Sequence, residues 1–409
     1  MLWKHWVTID LQASMDIKEA RDLVERLTLG TPPSGHLRNF TVGRTSQLKQ
    51  LVSSLDSSVT TPEALLVQAN YGAGKTHLLR LLRETALGNG FAVAYVVVDA
   101  QGGLRFNRMD QVVSAVFRGI EIPGNPKPGI GSFFDHFLSV DLESLNSVDR
   151  ATRSSILTSG TWARPLLGHS TPLWIALRAW AYSNHFEAKQ TVIQWLSHTW
   201  DFESRKSFLT TRLVKQIPRS IVVTDWGGDL YGWKSFSFRQ DQYNNSWRAL
   251  NDLDQLCRLS GLRGLVLLFD EFEDVIQNLR NIAYEQASFQ NLLRLMDNSQ
   301  FSGWKYFAVT PEFATKCRNR LREKQIYDFP VKHFDDLPRI KMDPVDHKEF
   351  FLLAQRIREV HAVAFQLDTS EIITDEKIRS FISGHFEVRK PDQIRTAVTG
   401  FLALLNSQI

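Results

Sequence analysis

Residues 69–76, Ala-Asn-Tyr-Gly-Ala-Gly-Lys-Thr, hold the residue types best suited to binding phosphate. Gly72 and Gly74 can take backbone angles closed to other residues, so the chain can turn tightly there and aim several amide N–H groups at one point. Lys75 adds a point charge for β and γ phosphates, and Thr76 a hydroxyl for Mg²⁺. The spacing is that of the phosphate loop, G-x-x-x-x-G-K-[ST], with Ala69 in place of the first glycine. That replacement costs something only if the position demands positive φ. We read Asn70, Tyr71, Gly72, Ala73, Gly74, Lys75, Thr76 and His77 as the nucleotide-binding stretch. For His77 itself, packing is favoured over proton transfer. The bland alternative is a glycine-rich turn that carries a surface lysine.

A second group stands at 265–274, Leu-Val-Leu-Leu-Phe-Asp-Glu-Phe-Glu-Asp. An apolar run ends in Asp270, whose carboxylate can hold Mg²⁺ through water, and Glu271 beside it can polarise an attacking water. Acids that merely cap a strand end in solvent would read the same way. Glu273 and Asp274 are expected to be exposed charges. Thr310 closes another apolar run; its hydroxyl either contacts the γ phosphate or orders the water, or is an ordinary cap before Pro311. The run 317–324, CRNRLREK, offers Arg318, Arg320 and Arg322. Arg320 and Arg322 are the catalytic candidates, as an arginine finger reaching a neighbouring subunit's nucleotide; a solvated helix face is the alternative. Arg389 and Arg395, flanking Pro391, are candidates for a lid arginine that senses the nucleotide.

These residues need a scaffold, and the apolar patterns supply one. ALLVQA at 64–69, FAVAYVVVDA at 91–100, GLVLLFDE at 264–271 and KYFAVT at 305–310 read as strands buried on both faces. Helical segments between them imply crossover connections, hence an α/β fold with a parallel sheet and helices on both faces. Ile17, Ala20, Leu23, Val24 and Leu27 form one stripe of a helix over 16–28, ended by Gly30 and a Pro-Pro-Ser-Gly turn. A second amphipathic helix buries Leu48, Leu51, Val52 and Leu55, and a third follows the glycine turn from Thr76 to about Leu87. In the tail, Asp343 is placed as a helix cap with Pro344 at the first helical position; Phe350, Leu353, Ala354, Ile357 and Val360 follow at helical spacing. Further helices are placed at 374–383 and 391–406.

The domain organisation expected is an N-terminal helix and linker at 1–35, the first part of the core at 36–100, a mostly helical insertion at 101–263, the second part of the core at 264–342 and a helical lid at 343–409. The insertion carries eight of the 11 tryptophans, including LWIALRAWAY at 173–182 and TVIQWLSHTW at 191–200. They can serve as core or stack on nucleic-acid bases.

Composition sets outer limits. A hydrophobic fraction of 43% and a charged fraction of 22% exclude disorder and fibrous repeats. A balance of 48 Lys+Arg to 44 Asp+Glu is too mild to argue for nucleic acid by itself. Cys257 and Cys317 lack metal-ligand spacing and suit a reducing compartment. The start, MLWKHWVTIDLQ, lacks the apolar stretch of a secretory signal, and no apolar run is long enough to span a bilayer. We therefore expect a cytoplasmic protein with no membrane partner.

Together, Gly43-Arg44 after Phe40, the phosphate loop, Asp270-Glu271, Thr310 and the helical tail resemble an AAA+ P-loop ATPase of the origin-recognition (ORC/Cdc6-like) branch. More closely, ARDLVERLTLGTPPSG, HLRNFTVGR, NYGAGKTHLLRLLRE, GLRGLVLLFDEFED and VTPEF resemble the ATP-binding proteins of BREX phage-defence systems, the BrxD type of the BrxC/BrxD family in particular. The resemblance covers about 20–120 and 250–409 and is weak in the insertion. It implies ATP and Mg²⁺ as cofactors, ATP hydrolysis, a homo-oligomer, other defence-system proteins as partners and action on, or response to, foreign double-stranded DNA. It carries over Lys75, Thr76, Asp270 and Glu271, and also Thr310. No winged-helix segment follows the lid, so DNA contact is expected from the insertion, from the basic side around Arg38 and Arg44, or from partners. Two other readings stand beside the ATPase: a nucleotide-dependent switch that recruits effectors, and a DNA-binding initiator of the origin-recognition kind.

Overall fold

The computed structural model describes residues 15–31, 37–55, 64–98, 104–140, 170–182, 186–198, 236–276, 282–296, 300–325, 332–367, 372–387 and 393–408. The elements in chain order are α1 (Ile17–Thr28), α2 (Thr45–Ser54), β1 (Ala64–Gln68), α3 (Lys75–Gly88), β2 (Ala92–Val97), α4 (Met109–Gly119), β3 (Ile120–Glu121), α5 (Ile130–Ser139), α6 (Thr171–Tyr182), α7 (Phe186–Ser197), α8 (Gln240–Leu259), β4 (Leu265–Asp270), α9 (Ile282–Met296), β5 (Trp304–Val309), α10 (Phe313–Glu323), β6 (Arg339–Lys341), α11 (His347–Phe365), α12 (Asp375–His385) and α13 (Gln393–Asn406). The strands form one sheet in the order β3–β2–β4–β5–β1–β6. β4 runs parallel to β2 and to β5, and β3 is antiparallel to β2. This is the mixed α/β fold that the apolar runs imply.

The four long strands lie where the apolar runs place them, because residues buried on both faces leave no other reading: every residue of β4 and β5 is buried. The edge strands β3 and β6, of two and three residues, have no period to read. The chain divides into two compact units, 1–53 with 67–82 and 339–409, and 54–66 with 83–338.

In the second unit, β2, β4 and β5 share an apolar core with helices α4 to α8. Phe272, just past β4, meets Phe106 and Phe307 at ring-centroid distances of 4.9 and 4.8 Å, and Phe269 stacks on Phe307 at 5.0 Å. Trp174, Trp180, Trp195 and Trp247 are all buried. Trp180 donates to Asp135 and Trp195 to the Phe236 carbonyl. Of the two roles open to the tryptophans, these four are core; Trp162, Trp200, Trp226 and Trp233 lie outside the described residues. Cys257 on α8 and Cys317 on α10 are free thiols within the same core, and burial pushes both thiol pKa values up.

In the first unit, α1 and α11 to α13 share a separate core. Leu48, Leu51 and Val52 are buried as expected, and so are Phe350, Leu353, Ala354, Ile357 and Val360; Leu55, which falls in the second unit, is buried too. Two expectations fail here. Ile17 is exposed, so the α1 stripe begins a turn later at Ala20. Helix α11 is capped by Asp346, not Asp343: the Asp346 side chain accepts from the Glu349 N–H and the Glu349 side chain accepts from the Asp346 N–H. That reciprocal box satisfies two helix-end donors, where an Asp343–Pro344 start would satisfy fewer.

Candidate nucleotide site

The chain leaves β1 at Ala69 and enters α3 at Lys75 through a turn in which Gly72 and Gly74 have φ of +72° and +92°. Side chains rarely adopt such angles, so these two positions favour glycine. Ala69 is not among the described non-glycine residues with positive φ, so its Cβ is tolerated and the departure from the strict pattern is harmless. The backbone N–H groups of Gly72, Gly74, Thr76 and His77 donate to no acceptor among the described residues. Four open donors at a helix N-terminus, next to a lysine, make an anion-binding arrangement. The Lys75 side chain is buried; its Nζ donates to the Ala69 carbonyl at 2.9 Å and sits 4.9 Å from the Tyr71 ring centroid.

The loop is buttressed from behind. Arg44 is 5% exposed and donates through one guanidinium nitrogen to the Ala73 carbonyl at 3.1 Å and through another to the Asp343 carbonyl at 2.6 Å. Burial pushes its pKa down, and Glu349 and Asp343 push it back up. Arg44 is thus part of the interior and not the exposed basic contact for DNA expected from sequence; the Arg38 side chain is not described. His77 Nε2 pairs with Thr41 Oγ1 at 2.8 Å. Burial, then the charges of Arg44 and Arg80, lower its pKa to about 4. It is therefore neutral near pH 7, consistent with packing.

In the other unit, β4 ends at Asp270, which is buried. Tyr95 on β2 donates its phenol hydrogen to Asp270 Oδ2 at 2.5 Å, and the Glu271 N–H donates to Oδ1 at 3.0 Å, so both carboxylate oxygens are oriented. The parallel register that pairs Tyr95 with Leu268 and Val97 with Asp270 puts Tyr95 on the face of Asp270. Glu271 is exposed and has φ of +54°, a left-handed backbone at a non-glycine residue. Such strain clusters at functional sites. Sequence offered no sign of it, nor of the Tyr95 contact.

Glu273 is buried, against expectation: Phe272 is drawn into the aromatic core and the short turn Phe272–Ile276 carries the next residue in with it. The side chain of Asp274 is not described. Thr310, directly after β5, is buried, and its hydroxyl finds no partner among the described residues. The arginines of α10 differ sharply. Arg318 pairs with Asp335, Arg320 makes two hydrogen bonds to the buried Glu285 at 3.0 and 3.1 Å, and Arg322 is exposed. Arg395 is exposed on α13 with its side chain over Gly30, and Arg389 lies outside the described residues.

A family model, BREX system ATP-binding protein BrxC/D, matches residues 15–156 and 242–407. The chain belongs to the BrxC/BrxD family. The two matched segments take in the phosphate loop, the Asp270–Glu271 strand end, Thr310 and the helical tail, and they leave out 157–241, the part of the tryptophan-rich stretch where resemblance is weak. As a BrxC/BrxD protein it is an ATP-binding component of a phage-defence system. Searches of curated proteins and of solved structures each find no match. Among the described residues, no helix is long and apolar enough to cross a membrane, and no group of His, Cys, Asp and Glu is assembled as a metal site.

Proposed function

We propose that this BrxC/BrxD protein is a Mg²⁺-dependent AAA+ ATPase whose ATP cycle drives a defence assembly on foreign DNA. The observation that carries the reading is the set of open amides at Gly72, Gly74, Thr76 and His77 beside Lys75. These donors hold the phosphates, and Lys75 leaves the Ala69 carbonyl to meet the β and γ oxygens. Bound Mg²⁺ would neutralise charge developing on the phosphates. The residues suit it: Thr76 offers a hydroxyl that has no partner among the described residues, and Asp270 a carboxylate already oriented by Tyr95 and the Glu271 amide. Glu271 accepts the proton of the attacking water, and the Thr310 hydroxyl orders that water or touches the γ phosphate. Arg322, exposed on α10, is the arginine offered to a neighbouring copy in a homo-oligomer; Arg320 is committed to Glu285. Arg395, with Arg389, is offered as the sensing pair of the lid. The protein works in the cytoplasm with other defence proteins.

One observation favours a slower, switch-like cycle. With Arg320 held by Glu285 of its own chain, Arg322 is the candidate left to reach a neighbouring copy's nucleotide, so turnover depends on assembly.

The test compares ATP hydrolysis by the wild type, Lys75→Ala and Glu271→Gln, with and without duplex DNA. The reading requires turnover by the wild type, weakened nucleotide binding by Lys75→Ala, and binding without cleavage by Glu271→Gln. Stimulation by DNA supports a motor or loader. Tight ATP binding with negligible turnover in all conditions selects the switch instead.

A further inference from the structure

We propose that Arg44 is a positioning residue for nucleotide binding, acting by fixing the peptide plane between Ala73 and Gly74; this rests on the reading of the phosphate loop as an ATP site. The argument is one of peptide geometry. A trans peptide is planar, with its C=O and the following N–H pointing in opposite directions. None of the described peptide bonds is cis. The guanidinium of Arg44 holds the Ala73 carbonyl at 3.1 Å, so the Gly74 N–H of the same peptide must point away from Arg44. Gly74 N–H is one of the donors with no acceptor among the described residues. Glycine at 74 imposes little torsional preference of its own, so an external clamp is needed to keep that donor aimed.

The clamp is itself built with care. Gly43, with φ of +65°, turns the chain into Arg44, and the Glu349 carboxylate lies 1.9 to 2.6 Å from where a Cβ at position 43 would sit. A side chain at position 43 would have to take up this strained φ and push the Glu349 carboxylate aside. The second guanidinium contact, to the Asp343 carbonyl at 2.6 Å, ties the same arginine to the segment leading from β6 into α11. Beside it, Arg356 of α11 donates to the Thr41 carbonyl while Thr41 Oγ1 pairs with His77. The strap Thr41–Arg44 therefore connects the back of the phosphate loop with the first helix of the tail, and a planar, two-pronged donor is what such a double carbonyl contact requires.

The experiment measures ATP and ADP affinity by calorimetry, steady-state KM and kcat, and nucleotide-free melting for the full chain as wild type, Arg44→Gln, Arg44→Lys and Lys75→Ala. Arg44→Gln should lose about tenfold in affinity for both nucleotides, with KM raised and kcat changed little, because the Gly74 donor serves ground state and transition state alike. Arg44→Lys, which keeps the charge but reaches one carbonyl, should fall between. Wild-type affinity in a folded Arg44→Gln overturns the proposal. Should Arg44→Gln not fold, Arg44→Lys decides: an intermediate affinity supports the clamp, an unchanged one overturns it. If Lys75→Ala also binds like the wild type, the nucleotide reading has failed and the clamp falls with it.

Discussion

The phosphate loop and the acidic end of β4 both fix polar groups where the chain leaves a strand, but with different materials. In the loop the open polar groups are mainly backbone N–H, shaped by two positive-φ glycines and held from outside by Arg44. At the end of β4 they are side-chain carboxylates, aimed by a neighbouring strand's phenol and by a single strained residue, Glu271. A backbone site tolerates side-chain variation and depends on conformation, which is why Ala69 is acceptable where glycine is usual. A side-chain site depends on the atoms themselves.

The largest expected effect separates the two regions by readout. Glu271→Gln should lower turnover by about 100-fold or more while ATP affinity stays within about twofold. Lys75→Ala should weaken ATP affinity by about 10- to 100-fold. Calorimetry with single-turnover kinetics tests both, and affinity loss in the Glu271 variant would erase the distinction. Gly74→Ala comes next. An added Cβ would find Met342 Cε only at 4.0 Å, so space is available and the cost is conformational. With φ at +92°, alanine should cost about 1–2 kcal/mol, seen as roughly tenfold weaker binding with the native fold kept.

Tyr95→Phe sharpens the other side of the comparison. It removes one oxygen and leaves the ring, so Asp270 keeps only the Glu271 amide as an orienting donor among the contacts seen. Turnover should fall about fivefold, with a raised Mg²⁺ requirement and little change in melting temperature. The smallest effect concerns pH. His77 has a pKa of about 4 when folded, against an ordinary value of 6.5, so between those values the unfolded chain binds more protons. Stability is full above about pH 6.5 and declines as pH falls towards 4, by no more than about 3 kcal/mol from this group. Melting curves of the wild type and His77→Gln should differ in slope across that window and run parallel above it.

The sequence showed most clearly what repeats or what is rare. β4 and β5 were legible because six consecutive buried residues have one structural meaning, and the loop because Gly-x-Gly-Lys-Thr is uncommon after a strand. Legibility failed where a residue's role depends on a distant partner. Arg44 reads as basic and therefore exposed until the Ala73 and Asp343 carbonyls are seen to hold it. Glu273 reads as solvated until Phe272 pulls its turn inward. Asp343–Pro344 was a good local helix start and lost to Asp346 because Glu349 completes a reciprocal pair three residues on. Tyr95 looked like one more aromatic in a buried strand, and only the register with β4 gives its hydroxyl a task.

The two free cysteines have a practical consequence. Both are buried in the core of the second unit, with thiols shifted away from the reactive thiolate form. The native chain should therefore ignore maleimide and other alkylating reagents, so a cysteine introduced at an exposed position such as Leu29 or Phe186 can carry a fluorophore without first removing the natural pair. Slow labelling of Cys257 and Cys317 would then serve as a built-in clock for transient opening of that core.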